Sequence, residues 1–210
     1  MYPDIEEKHK EETKMKLDII LSGVGGQGIL SIAAIIGEAS LYEGLHIKQA
    51  EVHGMSQRGG DVQSNLRISS DHIYSDLIAK GTADAIISLE PMEALRYIPY
   101  LSPKGWVVTN SSPFVNIPNY PELEMILDEL SALPNVIMID IDSMVMEAGG
   151  SRTANMILLG AASVILGIDQ SKLEDAIARI FSRKGETVVE MNKKAFRIGR
   201  VAGEKQIKTD

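Results

Sequence analysis

A short apolar run, Lys16 to Leu21, leads directly into Leu21-Ser-Gly-Val-Gly-Gly-Gln-Gly28 and then into a second apolar stretch of helical character. That is where a doubly wound sheet turns from its first strand into its first helix. Gly23, Gly25 and Gly28 satisfy the spacing G-x-G-x-x-G. In that pattern one glycine makes the turn, one lets an anion approach the backbone, and one lets helix and strand pack closely. The unpaired amides at the helix start favour negative charge. A tight strand-to-helix turn needs glycines whether or not anything binds, so dinucleotide binding and a bare turn both remain open.

The chain has 210 residues, enough for one well-packed α/β domain and short for two. Its formal charge is -8, with 21 basic and 29 acidic residues and no dense basic cluster, which makes nucleic acid an unsuitable partner. There is no cysteine, so the chain offers no thiolate to an iron-sulfur cluster, no disulfide and no thiol nucleophile. The longest apolar stretch, Met156 to Leu166, is too short to cross a bilayer and reads as a buried helix. Residues 1–14 are crowded with Glu and Lys and have no apolar core, the composition of a flexible extension and of neither a secretory signal nor an anchor. The cytoplasm is the expected compartment, and Met15 is a second candidate translation start beside Met1.

After the glycine turn, Ile29 to Glu43 is apolar on nearly every side and is expected to be deeply buried or covered by another subunit. Leu45 to Val52 reads as the second strand, followed by a second glycine-rich loop, His53-Gly-Met-Ser-Gln-Arg-Gly-Gly60. Val62, Ser64, Leu66 and Ile68 alternate as a strand, and Ile73 to Ile78 is expected to return as its hairpin neighbour. The α/β rhythm resumes with strand 85–89, a helix opened by Pro91, strand 106–110, helix 122–130 and strand 136–141. Three helical patterns follow, at 151–166, 171–182 and 188–201. The expected architecture is a single three-layer Rossmann-like α/β domain over residues 15–203, mostly parallel, with a hairpin insertion, a helical C-terminal part and a tail from 204 to 210.

Candidate chemistry is sparse. His53 and Arg58 flank the second loop and, with the first loop, fall at the carboxyl ends of strands, where open α/β sheets bind ligands. Equally, Arg58 pairs with a carboxylate and His53 with a loop carbonyl. Glu51 stands near the place of a ribose-binding acid, and is also an ordinary loop-edge carboxylate. No serine lies in a nucleophile elbow, and His9, His46 and His72 lack metal-ligand spacing. No catalytic residue and no metal site is assigned. The small residues Gly160, Ala161, Ala162, Ser163 and Gly167 permit close approach of another helix, from this chain or from a partner.

Taken as a pair, Gly23-Val-Gly-Gly-Gln-Gly-Ile29 and Glu51-Val-His-Gly-Met-Ser-Gln-Arg-Gly-Gly60 resemble the gamma-type domain of 2-oxoacid:ferredoxin oxidoreductases, and the second loop is most similar to that of the indolepyruvate group. Arg67 in strand Gln63 to Ser69, Leu89-Glu-Pro-Met-Glu-Ala-Leu95, Asn155-Met-Ile-Leu-Leu-Gly160, Asn192 and Ala195-Phe196 extend the resemblance over about Lys16 to Gly199. It implies an accessory subunit of an enzyme that oxidatively decarboxylates an arylpyruvate to an acyl-CoA and reduces ferredoxin. It also implies a larger partner subunit that carries thiamine diphosphate and iron-sulfur clusters, coenzyme A as co-substrate, and room for contacts with a second copy of the chain. On the same ground, Gly25, Gly26, Gln27, Gly28 and Arg58 are directed at a coenzyme A phosphate or at the subunit interface. The alternatives are a stand-alone NAD(P)-binding oxidoreductase on the first loop, or a gamma subunit acting on pyruvate, 2-oxoisovalerate or 2-oxoglutarate.

Overall fold

The computed structural model describes residues 14–53, 60–115 and 117–207. Strand β1 (Lys16–Val24) is buried along nearly its whole length. It runs through the middle of the sheet with helices on both faces, and a strand so placed is apolar almost continuously. The glycine turn leads into α1 (Ile29–Leu41), followed by β2 (His46–His53) and β3 (Asp61–Ser69). Then come β4 (Ala83–Ser88), α2 (Pro91–Arg96), β5 (Leu101–Asn110), α3 (Leu123–Ser131) and β6 (Val136–Ile139). The chain closes with α4 (Ile141–Ala148), α5 (Ala154–Ala162), α6 (Gln170–Phe181) and α7 (Glu186–Glu204).

The six strands lie in the order β2-β3-β1-β4-β5-β6. β1, β4, β5 and β6 are parallel, and only β3 runs against its neighbours. Ile19, Leu21, Ile87 and Val108 point into a core shared with α1 and α4 to α7, whereas Ile20, Ile86 and Val107 point into a second core under α2 and α3. The mostly parallel three-layer α/β domain expected from the sequence is therefore the one observed. None of the helices among the described residues is long and apolar enough to cross a membrane.

The hairpin is present with other partners than expected. β3 pairs with β1 from Lys16↔Ser69 to Val24↔Asp61 and with β2 from His46↔Ser69 to His53↔Val62, so both of its edges are taken. Residues 73–78 form no strand. They cross the sheet as a loop held by Arg67, whose Nη1 donates to the carbonyls of Ser75 (3.1 Å) and Leu77 (3.2 Å), and by Asn65, whose Oδ1 accepts from the Ile78 amide (3.2 Å).

Insertion of β3 also moves β2 away from β1. In a dinucleotide-binding fold the acid that holds the ribose lies at the end of the strand next to β1. Here Glu51 is two strand spacings away, roughly 10 Å, and the basis for that reading is lost.

Helix α1 hides most of its apolar residues within the chain, against the sheet, α5 and α6, while Leu30 and Leu41 stay exposed. Its polar edge is closed by Arg179, which pairs with Glu38 (2.9 Å) and lies 3.7 Å over the Tyr42 ring. The small residues of α5 have a partner too, since Gly160 abuts the backbone of α7 at Phe196 and Gly199 abuts that of α5 at Ile157. The close approach is internal. Beyond α7 the chain stays on the sheet, where the Gln206 amide bonds both the N–H (2.8 Å) and the carbonyl (2.5 Å) of Met138 on edge strand β6.

Candidate functional site

The glycine turn is closed largely by its own atoms. The Gln27 side chain folds back so that its Oε1 accepts from the Val24 amide (2.7 Å), while its Nε2 reaches the Leu89 carbonyl at the end of β4 (3.5 Å). The Gln27 amide bonds the Val24 carbonyl (3.1 Å), and the Gly25 amide bonds Gly60 (2.8 Å), where the second glycine loop returns to β3. Two amides that a phosphate cradle would use are thus already engaged.

The glycines have separable tasks. A Cβ on Gly23 would stand 2.8 Å from Gln27 Oε1, so the small residue makes room for that inward fold. Gly28 has φ of +87°, caps α1, and approaches Asn155 so closely that a Cβ would lie 2.7 Å from its Nδ2. Asn155 in turn donates to the Gly28 carbonyl (3.2 Å), tying the start of α5 to the start of α1. Gly28→Val is accordingly expected to lower stability by about 3 kcal/mol or more, from left-handed strain and the lost bond together. A thermal melt indistinguishable from the parent would contradict this.

Between β1 and β4 the strand order changes direction, and a crevice of about 680 Å³ opens there at the carboxyl ends. Gly26, Gln27 and Gly28 line it, with Leu89, Asn110 and Phe114 from the following turns. Gly25 lies instead beside Leu30 and Val62. Arg58 and loop residues 54–59 are outside the described residues, as is the side chain of His53, so the second half of the anticipated pocket is not placed.

Sequence reasoning did not assign the cationic side of this crevice. Arg152 precedes α5, Lys184 precedes α7, and both line it, with Asp142 opposing them. The buried amides of Asn155 (8% exposed) and Asn192 (4%) also face it. Both α1 and α5 begin there without a side-chain cap and without an acidic residue in the first turn. Their N-terminal amides are met in part by backbone, since the 3-10 turn Ser151–Thr153 runs into α5 with the Ala154 amide on Ser151, and the Ser31 amide of α1 bonds the Gly28 carbonyl (3.1 Å). The available signal was the pattern Ser151-Arg-Thr-Ala-Asn155, a basic residue just ahead of an apolar helix, where acids are the usual choice.

A buried carboxylate stands behind the same wall. Glu90 is fully buried at the N-cap of α2. It accepts from the Glu93 amide (2.8 Å), the Phe114 amide (3.4 Å) and the Tyr120 hydroxyl. Burial pushes its pKa above the ordinary carboxylate value, against the lowering effect of those three donors.

The model of the pyruvate ferredoxin/flavodoxin oxidoreductase family matches residues 18–202, nearly the whole described chain. The chain belongs to this family. Indolepyruvate oxidoreductase subunit IorB of Pyrococcus horikoshii is 38% identical over 192 residues, covering 87% of this chain and 93% of the relative. The gamma subunit of a keto/oxoacid ferredoxin oxidoreductase from Geobacter sulfurreducens superposes with a TM-score of 0.65 at 26% identity, over 90% of this chain and 99% of that one. A 2-oxoglutarate:ferredoxin oxidoreductase from Magnetococcus marinus, with 2-oxoglutarate, coenzyme A and succinyl-CoA bound, has the same fold at a TM-score of 0.74 and 23% identity; the match covers 93% of this chain and 32% of that one.

Members of the pyruvate ferredoxin/flavodoxin oxidoreductase family are oxidoreductases, and this chain's own side chains set what it can hold. It has no cysteine, and among the described residues no three His, Asp or Glu side chains are grouped to hold a metal ion. An iron-sulfur cluster does not fit these residues. The described lining of the crevice offers the side-chain amides of Asn155 and Asn192 and the cations of Arg152 and Lys184, with the carboxylate of Asp142 among them.

Proposed function

We propose that the chain is the accessory subunit of a thiamine diphosphate-dependent 2-oxoacid:ferredoxin oxidoreductase of the indolepyruvate type. The assembled enzyme decarboxylates an arylpyruvate, passes its electrons to ferredoxin and releases an acyl-CoA. Thiamine diphosphate and the clusters reside in a larger partner, and this chain contributes a surface and a crevice. Exposed Leu30, Phe114 and Val115 follow β1 and β5 at the carboxyl end of the sheet, an apolar rim suited to docking that partner.

One observation carries the ligand reading: the starts of α1 and α5, neither with a side-chain cap, lie with Arg152 and Lys184 on a single crevice at the switch point. A coenzyme A phosphate satisfies both helix ends and both cations. Gly26 and Gly28 let it approach the backbone, and Arg58 is proposed as a further contact for that phosphate or for the partner subunit.

The test uses the co-expressed two-subunit enzyme. Arg152→Ala combined with Lys184→Ala is expected to raise KM for coenzyme A about tenfold, equivalent to about 1.4 kcal/mol, with KM for the arylpyruvate unchanged. Unchanged coenzyme A kinetics would refute the crevice as its site. Failure of the chain to co-purify with a thiamine-binding subunit would refute the accessory role itself.

A further inference from the structure

The segment from β5 to α3 borders the crevice without belonging to the sheet, so something must fix its path. Near its start, the Ser111 amide bonds Ile139 (2.9 Å) and Asn110 Nδ2 donates to the Ser112 carbonyl (3.2 Å). Further along, among the described residues, Tyr120 packs into the second core beside Met92, and one side chain ties Tyr120 to Phe114. Glu90 Oε1 accepts from both the Phe114 amide and the Tyr120 hydroxyl, while Oε2 caps α2 through Glu93.

The cap alone does not explain a glutamate. Ser, Thr, Asp and Asn are the residues that cap helices best, and glutamate is not among them. A fully buried carboxylate carries a desolvation cost of several kcal/mol. The Arg96 guanidinium nearby is already paired to Glu93 (2.8 Å and 3.1 Å), so the three donors are what offset that cost. A shorter acid at this position would fall short of the β5–α3 segment. Phe114 is the member of that segment that lines the crevice, and its ring is about half exposed at the mouth.

We infer that Glu90 is a positioning residue for the crevice: by clamping Tyr120 and the Phe114 amide it holds Phe114 as a fixed apolar wall against the organic arm of coenzyme A. The inference rests on the crevice being the coenzyme A site. Its logic is that a ligand with a phosphate end and an apolar arm needs both a cationic floor and a wall that does not yield, because ordering the wall on binding would cost affinity.

Tyr120→Phe is the decisive variant, since it removes one hydroxyl from the clamp and leaves the α2 cap intact. In the two-subunit enzyme it is expected to raise KM for coenzyme A five- to tenfold, with KM for the arylpyruvate unchanged. In the free full-length chain, chymotrypsin is expected to cut after Phe114 at least fivefold faster, while Tyr120 itself is protected by the following Pro121. Glu90→Gln, which keeps the reach and one acceptor oxygen for the Phe114 amide and the Tyr120 hydroxyl while giving up the α2 cap, is expected to retain most of the coenzyme A affinity, and a loss as large as that of Tyr120→Phe would count against the clamp.

Lys184→Ala runs alongside as a direct probe of the crevice. If it raises KM for coenzyme A and Tyr120→Phe does not, Glu90 is only a cap and the inference falls while the crevice reading stands. If neither variant moves that KM, the crevice reading is wrong and the inference goes with it. Unchanged chymotryptic cleavage after Phe114 in Tyr120→Phe would overturn the clamp whatever the kinetics.

Discussion

Gly199→Ala is expected to destabilise the fold severely, and Gly160→Ala nearly as much. A Cβ at residue 199 would stand 1.8 Å from the Ile157 carbonyl oxygen, and one at residue 160 would stand 1.9 Å from that of Phe196. Gly203 meets α5 one turn further along, where a Cβ would stand 2.6 Å from the Ala161 carbonyl oxygen. In each case the obstacle is helix backbone, which no rotamer change can move. To admit one methyl group α5 and α7 must separate by more than an ångström.

That separation would reach well past the mutated site. Every residue of α5 from Asn155 to Ala162 is buried, and Phe196 and Ala195 of α7 are completely so. Separation opens voids along both helices and forfeits their dispersion contacts. A loss above about 4 kcal/mol is expected, which in a chain of this size lowers Tm by about 10 °C or more. Gly37→Ala is the control. Its Cβ would lie 3.8 Å from Ile47 Cδ1, an ordinary contact, within helix α1. There the exchange is expected to raise stability by up to about 1 kcal/mol. Thermal melts of the three variants check both halves, and a Gly199→Ala chain melting within 3 °C of its parent would show that the helices can yield.

The small residues of α5 were visible in the sequence as a surface made for close packing, and what they packed against was not. Helical periodicity reports which face is small, whereas the identity of the neighbour is set by how the chain is wound. The same division explains β3. Alternation from Val62 to Ile68 announced a strand correctly, but a period of two carries no information about which edges it will satisfy, and β1 and β2 took both. At the first glycine turn the spacing predicted strand, turn and helix. The inward fold of Gln27 was illegible, because a glutamine three residues beyond Val24 looks identical whether it faces a ligand or its own loop. Glu90 was hidden for another reason: its partners Phe114 and Tyr120 are 24 and 30 residues away, on a proline-rich segment with no periodicity to read.

Arg67 gives the second large effect. Its guanidinium grips Asp18 with two bonds, Nε to Oδ1 at 2.7 Å and Nη2 to Oδ2 at 3.1 Å, and Asp18 is only 2% exposed in the centre of the sheet. The remaining nitrogen, Nη1, holds the loop of residues 73–78 through the carbonyls of Ser75 and Leu77. Arg67→Ala therefore strands a buried carboxylate and releases a loop that covers one face of β1 and β3. Breaking such a pair from one side usually costs about 3–5 kcal/mol. Lys16 Nζ, 2.7 Å from Asp18 Oδ2 and more than half exposed, remains to offset part of it. The expected loss is about 3 kcal/mol, seen as a lower urea midpoint with an unchanged slope. Arg67→Lys is expected to recover little, because one ammonium cannot engage both carboxylate oxygens and two carbonyls at once. The Asp18→Asn, Arg67→Ala double variant separates the causes. If the buried charge dominates, removing it restores most of the loss; if the loop dominates, the double variant stays as unstable as Arg67→Ala. A single-variant loss below about 1 kcal/mol would mean that neither the pair nor the loop depends on Arg67, and that Lys16 alone keeps Asp18 satisfied.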